Sequence, residues 1–337
     1  MSRARSFSKL INKDNYATYS GSDSVTDISA VSLPQGTLGF PNKIINGNFD
    51  IWQRGDGPFT TGYSADRWVE MGSSATLSMS KGTFTDGQTD VPGNPKYYMQ
   101  WSITTGNDNS RITQRIEGVQ TFSGETVTLS YWARHVSGTL PSGGITANLR
   151  QEFGTGGTPS STVYVNSDNI SLTSNWQKFT TTFNVPSISG KTIGTDGNDY
   201  LGVSLLWQLG NDTTAYSIDI AQVQLEEGTV PTPFEHRPYG TELALCQRYF
   251  YIFDSTGLDD LLYFRSPYAT GTPPNTTASV AHFHPVTMRA SPDIIATVNG
   301  GTINRKTSSN KVVVFQMAST NINGAYAVTS YTANAEL

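Results

Sequence analysis

Residues 221–251 read AQVQLEEGTVPTPFEHRPYGTELALCQRYFY, and this segment constrains the chain more than any other. It opens as an alternating strand, meets prolines at 231 and 233, and runs into one amphipathic helical stretch. Each proline lacks a backbone N–H, so Val230-Pro231-Thr232-Pro233-Phe234 ends ladder pairing. Thr241 is placed to cap a helix running to Arg248, with Glu242 in the favourable first turn. Leu243, Cys246 and Phe250 make one apolar stripe, and Leu245 with Tyr249 adds an adjoining edge. A helix of about ten residues needs a packing partner to be stable. That partner is either its own domain or the same helix of neighbouring chains. The segment therefore predicts a domain boundary near residue 238.

Both flanks read as β-structure. Before the boundary, 44–52 opens with a strand whose Asn46-Gly47 marks a turn or bulge. Alternating strands are expected at 76–80, 97–103, 111–116, 126–134, 178–185, 200–207 and 216–225. Gly, Asn and Asp turns separate them, the pattern of an antiparallel sandwich. All six tryptophans, at 52, 68, 101, 132, 176 and 207, fall in this region. After the boundary, strands are expected at 261–265, 278–283, 294–298, 311–317 and 325–331, enough for a smaller sandwich. The predicted fold class is thus all-β: an N-terminal arm (1–40), a sandwich (41–238), then a short helix and a second β-domain (239–337).

Composition excludes several function classes. Charged residues are 15% of the chain and the net charge is −5, without the basic stripe of a polyanion binder. Nucleic acid is therefore not an expected partner. The single cysteine, Cys246, cannot close an intrachain disulfide or build a Cys-based zinc site, and reads as a buried thiol. No apolar run approaches the length of a membrane span. Arg3 and Arg5 are not followed by an apolar segment, so no secretory signal is expected, which predicts synthesis in a cytoplasm and release by another route such as lysis. Residues 1–40 carry Arg3, Arg5, Lys9 and Lys13 and then a Ser/Thr/Asp-rich stretch. This composition fits a disordered tail, or an arm ordered only against neighbouring chains or a larger particle.

Three runs resemble bacteriophage tail-fibre and receptor-binding proteins. They are KIINGNFDIWQRG at 43–55 with Ala65-Asp66-Arg67-Trp68, the junction at 222–248, and 282–292 with its Phe283-His284-Pro285…Met288-Arg289-Ala290…Pro292 element. With the strands between them they span most of 42–292, and the middle region is similar to the carbohydrate-binding-module-like jelly roll of such fibres. The resemblance implies a homotrimeric virion tail-fibre subunit, held at the particle by its N-terminal arm through other tail or virion proteins. Its distal domain would attach to a host surface glycan. A structural virion component without receptor binding, such as a capsid fibre or adaptor, and a surface-polysaccharide hydrolase are the alternatives.

Glycan recognition needs exposed aromatic faces beside polar groups. Trp101 and Trp176 lie next to polar residues and turns and are the candidate sugar platforms. Trp132 and Trp207 read as core, and Trp52 and Trp68 as fold-fixing members of the matched run. In the distal domain Tyr263, Tyr268 and Tyr326, with Asn275, Asn321 and Asn323, have suitable chemistry for contact loops. His282 and His284 alternate on one strand face, a spacing compatible with an axial metal shared among chains. Asn46, Asp50, Asp219 and Glu226 are candidate ligands for a structural calcium of the kind such modules hold. Leu243, Cys246 and Phe250 are the residues expected to gather a trimer. No catalytic role is expected. Glu226 and Glu227 are adjacent on a strand and point to opposite faces, Asp259-Asp260 reads as a turn, and no catalytic motif is present.

Overall fold

The computed structural model describes residues 41–72, 76–105, 110–208, 213–254, 263–265, 276–299, 302–319 and 325–337. The arm at 1–40 lies outside them. Residues 42–337 form one compact unit built around two apolar cores. The all-β expectation holds: antiparallel sheets in sandwich arrangement, with one short helix, account for the regular structure of the described residues.

The first sandwich is built from β1 (Trp68–Met71), β2 (Thr76–Thr83), β3 (Tyr97–Thr105), β4 (Arg111–Glu117), β5 (Thr126–Gly138), β6 (Ile145–Glu152), β7 (Val163–Asn166), β8 (Gln177–Asn184), β9 (Tyr200–Gln208) and β10 (Tyr216–Glu227). One sheet runs β1-β4-β9-β6-β7 and the other β2-β3-β10-β5-β8. Period-2 alternation fixes which side chains meet between them. Met99, Trp101 and Ile103 of β3, Val127, Leu129, Tyr131 and Ala133 of β5, and Ile218 and Ile220 of β10 all point into the core. Strands β1, β6 and β7 escape the sequence reading because they are short, or because both faces are buried and polar residues such as Thr146, Asn148 and Gln151 interrupt the alternation.

Helix α1 (Tyr239–Gln247) follows, then β11 (Phe250–Asp254), β12 (Tyr263–Arg265), β13 (Thr276–Phe283), β14 (Asp293–Asn299), β15 (Thr302–Ser308), β16 (Val312–Ser319) and β17 (Ala325–Asn334). Strand β17 pairs with β11 and β12 on one side and β14 on the other, while β13, β16 and β15 form the facing sheet. Phe253, Met288, Ile294, Val313, Phe315, Met317 and Tyr331 fill the second core.

Three local expectations are corrected. Residues 44–52 are a run of turns, not a strand, with Asn46 and Phe49 at positive φ. Asn46 substitutes for a ladder: its side-chain oxygen accepts from Ile51 N–H at 2.9 Å, and its amide donates to the carbonyls of Ile51 and Asp66. Thr241 does not cap α1, which starts after Pro238 without a side-chain cap. Glu242 instead reaches back to the backbone N–H of Asn46. Finally, Phe250 opens a strand rather than extending the helix, and it and Cys246 are buried within their own chain. Two of the three residues expected to gather a trimer are thus already covered; only Leu243 remains partly exposed.

What covers them is the matched run itself. Arg54 lies with its guanidinium 3.4 Å from the centre of the Phe250 ring, and Arg67 stands at the same distance over Tyr249. The Gln53 amide donates to the carbonyl of Phe250 at 2.7 Å. Residues 335–337 close the arrangement. Glu336 forms ion pairs with Arg67 and Arg54, Tyr63 donates to the carbonyl of Leu337 at 3.1 Å, and Arg289 donates to the carbonyls of Ala335 and Glu336. Asp66, buried behind Glu336, accepts two bonds from Gln53, yet desolvation dominates and pushes its carboxyl up to about 6.

Removing one partner of a buried ion pair strands the other, at about 3–5 kcal/mol. Glu336→Ala is therefore expected to lower unfolding free energy by about 3 kcal/mol or more, read by urea denaturation. Asp66 carries a second expectation. Its folded carboxyl holds a proton that the unfolded one has already released between about pH 4 and 6, so its contribution to stability falls as pH rises through that window. The stability of wild type relative to Asp66→Asn should fall accordingly from pH 4 to pH 7, and a flat difference would contradict this account.

Candidate functional site

The outer face of the β2-β3-β10-β5-β8 sheet carries aromatic residues that the core does not use. Alternation in β5 sends Tyr131 and Ala133 inward, so Trp132 and Arg134 point out. Trp132, expected in the core, is half-buried on this face with Trp176, Tyr98, Phe84, Val91 and Ala221. Trp176 packs 5.2 Å from Phe84 and 5.6 Å from Tyr98. Tyr98 lies across Gly82, where an added Cβ would stand 2.1 Å from the ring, so the flat contact requires glycine. Beneath them Arg134 pairs with Asp219 at 2.8 Å and faces the Trp176 ring.

A β-bulge shapes the next part of the face. The register of β10 against β5 shifts between Ala221 and Gln224, and Gln222 sits at φ 49°. Bulges of this kind re-aim a side chain. Here the Gln222 amide donates to the carbonyl of Pro92 at 2.7 Å and pins the 84–96 loop. The bulge is held from behind by Gly47, whose carbonyl accepts from Val223 N–H at 2.8 Å. A Cβ on Gly47 would meet the Val223 carbonyl at 2.1 Å, which explains the glycine of the Asn46-Gly47 pair.

The proline corner closes the site. Gln224 donates to Glu226 and Thr232, Thr232 donates to Glu226 through both its N–H and its hydroxyl, and Glu235 N–H donates to Gln224. Arg237 pairs with Glu235 and Glu242 and donates to the carbonyls of Asn42 and Ile44. These bonds fold 231–237 back over the sheet. The result is a groove of about 350 Å3 lined by Pro92, Gly93, Ser130, Trp132, Lys178, Gln222, Pro233, Phe234 and His236. His236 stacks edge-on to Phe234 at 5.0 Å and rests against Gly93.

The residues singled out from sequence fall in different places. Trp101 is 0% exposed, paired between Met79 and Ile218 inside the core, and leaves the set of sugar platforms. Its polar neighbours Gln100 and Ser102 signalled alternation, not exposure. Trp176 is half-buried within the aromatic cluster. Tyr263 and Tyr326 belong to β12 and β17, but their side chains, like Tyr268, Asn275, Asn321, Asn323 and Asp259-Asp260 in full, lie outside the described residues. The Trp207 side chain does so too.

His282 and His284 do share a face, but it is the inner one. His282 Nδ1 is 2.7 Å from the Tyr331 hydroxyl, and both rings pack among Tyr251 and Tyr331, with Phe253 against His282. Burial holds both imidazoles below their ordinary value. An inward imidazole cannot reach a metal shared between chains without opening the sandwich. The calcium candidates do not converge either: Asn46 is spent on Ile51 and Asp66, Asp219 on Arg134, and Glu226 on Thr232 and Gln224, while Asp50 accepts from Asn48. Among the described residues no three His, Cys, Asp or Glu side chains group as metal ligands. Desolvation holds the Cys246 thiol well above its usual range.

No protein-family model matches the chain, and no curated protein matches it. Solved structures similar to it include the enzymatically active domain of bacteriophage CBA120 tailspike protein 4, at 16% identity and TM-score 0.30, covering 56% of this chain and 22% of that one. They also include the CBM22-1 xylan-binding domain of Paenibacillus barcinonensis Xyn10C, at 14% identity and TM-score 0.31, covering 52% and 93%. A third is the N-terminal cellulose-binding domain of Cellulomonas fimi β-1,4-glucanase C, at 18% identity and TM-score 0.30, covering 52% and 97%. At such scores these likenesses bear no weight for function. What the chain's own geometry defines is an antiparallel β-sandwich with an aromatic-walled groove on one outer face.

Gln222→Ala would leave the Pro92 carbonyl without its donor, a loss of about 1 kcal/mol. Hydrogen exchange should show faster exchange in the 84–96 loop, with the core strands β5 and β10 unchanged.

Proposed function

We propose that the chain is a phage tail-fibre subunit that attaches to host surface glycan through the groove on the outer face of the first sandwich. The groove is the observation that carries this reading. Two half-buried aromatic rings, Trp132 and Phe234, stand in it beside Ser130, Gln222 and Lys178. Fixed aromatic faces flanked by hydroxyl, amide and ammonium groups are the chemistry that holds a sugar ring. The lining contains no carboxylate, which supports binding rather than glycoside cleavage by paired acids. The tail-fibre assignment rests on the three matched runs, two of which, 43–55 with 65–68 and 222–248, build the groove's supports. In this reading the chain works as a homotrimer in the virion tail, where three weak sites combine into firm attachment.

Affinity electrophoresis in host surface polysaccharide tests the site. Trp132→Ala and Phe234→Ala should each abolish retardation, and Trp176→Ala should weaken it by loosening the neighbouring cluster. Purified wild-type protein should block phage adsorption to host cells, and solution mass should be three times that of the chain. A strict monomer would remove the fibre assignment. Tight binding to virion proteins without any binding to cells would assign the chain a structural role instead.

A further inference from the structure

The charges around the groove specify its ligand more narrowly. Lys178 is exposed on β8 and pairs in register with Trp132 of β5. Directly opposed residues have Cβ atoms about 5 Å apart, so ammonium and indole share one outer face as neighbours. Lys178 makes no ion pair among the described residues. The strands beneath the groove, β5, β8 and β10, place two acids on this face, and both are buried and engaged: Asp219 by Arg134, Glu226 by Thr232 and Gln224. Along the same face Arg134 is thus neutralised, while Lys178 is left free at the groove. A chain of net charge −5 therefore presents an acid-free, lysine-bearing pocket against an aromatic wall.

We propose that the groove selects a carboxylate-bearing sugar, a uronic or sialic acid residue of a polysaccharide, with Lys178 as the partner of the carboxylate and Trp132 as the platform for the ring. This rests on the glycan reading above and adds the ligand's charge to it. A neutral sugar would offer Lys178 only hydroxyl acceptors, whereas an ammonium beside a stacked ring is placed for the stronger charge-assisted hydrogen bond to a ring carboxylate. The overall negative charge works against non-specific attraction of polyanions, so binding of an acidic polymer reports the site itself.

The test uses the full chain and defined polymers: polygalacturonate, hyaluronate and polysialate, each with its carboxyl-reduced counterpart, together with neutral galactan, xylan and cellulose. Wild type should bind at least one acidic polymer about ten-fold or more tightly than its reduced form, and less tightly as salt rises. Lys178→Gln should remove that preference, Lys178→Arg should keep most of it, and Trp132→Ala should remove binding altogether. Because Lys178 is exposed, an unchanged circular dichroism spectrum is expected for both lysine variants. Equal binding of acidic and reduced forms, a preference for neutral polymers, or an acidic preference that survives Lys178→Gln would overturn the inference and leave the glycan reading standing. Binding to none of the polymers would overturn both.

Discussion

The buried ion pair between Arg67 and Glu336 connects parts of the chain separated by most of its length. Arg67 is 1% exposed, with its guanidinium between Tyr249 and Glu336 and a further bond to the carbonyl of Arg115. A buried guanidinium is tolerable only when its charge and donors are met together. Meeting them requires the first sandwich, the helix-to-strand junction and residues 335–337 to be in place at once. Arg54, Asp66, Gln53 and Tyr63 extend the same cluster, and Arg289 ties residues 335 and 336 to the second sandwich. The two cores are apolar and stable by burial, but this polar cluster decides how the chain passes from one to the other.

The groove inherits its shape from that order. With the junction held, 231–237 can only fold back across the outer face, where Gln224, Glu226, Thr232 and Arg237 fix it. The bulge at Gln222 then meets the 84–96 loop from one side and the Phe234–His236 stack from the other. No single element contains the site: β5 supplies the indole, β8 the lysine, β10 the bulge, and the corner a wall. Such a groove is held firm by backbone bonds and buried acids, while Lys178 of its lining has no ion-pair partner among the described residues.

Much of the fold was legible in the sequence because alternation is a local consequence of strand geometry. Of the strands expected in the first sandwich all but the one at 44–52 are present, and Trp52 and Trp68 are core members of the matched run. The same rule, applied one residue out of phase, misplaced two tryptophans. Polar neighbours suggest a surface position for Trp101, and a place inside an alternating strand suggests a core position for Trp132; the structure reverses both. In a strand both neighbours of a core residue face outward, so polar neighbours are what a buried position looks like. The helical stripe failed for a different reason. Leu243, Cys246 and Phe250 are correctly spaced, but Phe250 has left the helix, and the stripe meets Arg54 and Arg67 of its own chain rather than another copy.

Sequence alone determined the class: strand periodicity, turn residues and two prolines dictate an all-β chain with a corner near residue 231, since these are effects of backbone geometry over a few residues. It also marked Asn46-Gly47, Asp66-Arg67 and the 222–248 junction as special, without saying why. Tertiary structure decided the rest. Which face of β5 meets solvent, which acids are cancelled by which bases, and where the corner comes to lie all depend on contacts between residues far apart in the chain. Charge and exposure are properties of those contacts, so the groove and its unpaired lysine exist only once the chain has closed on itself.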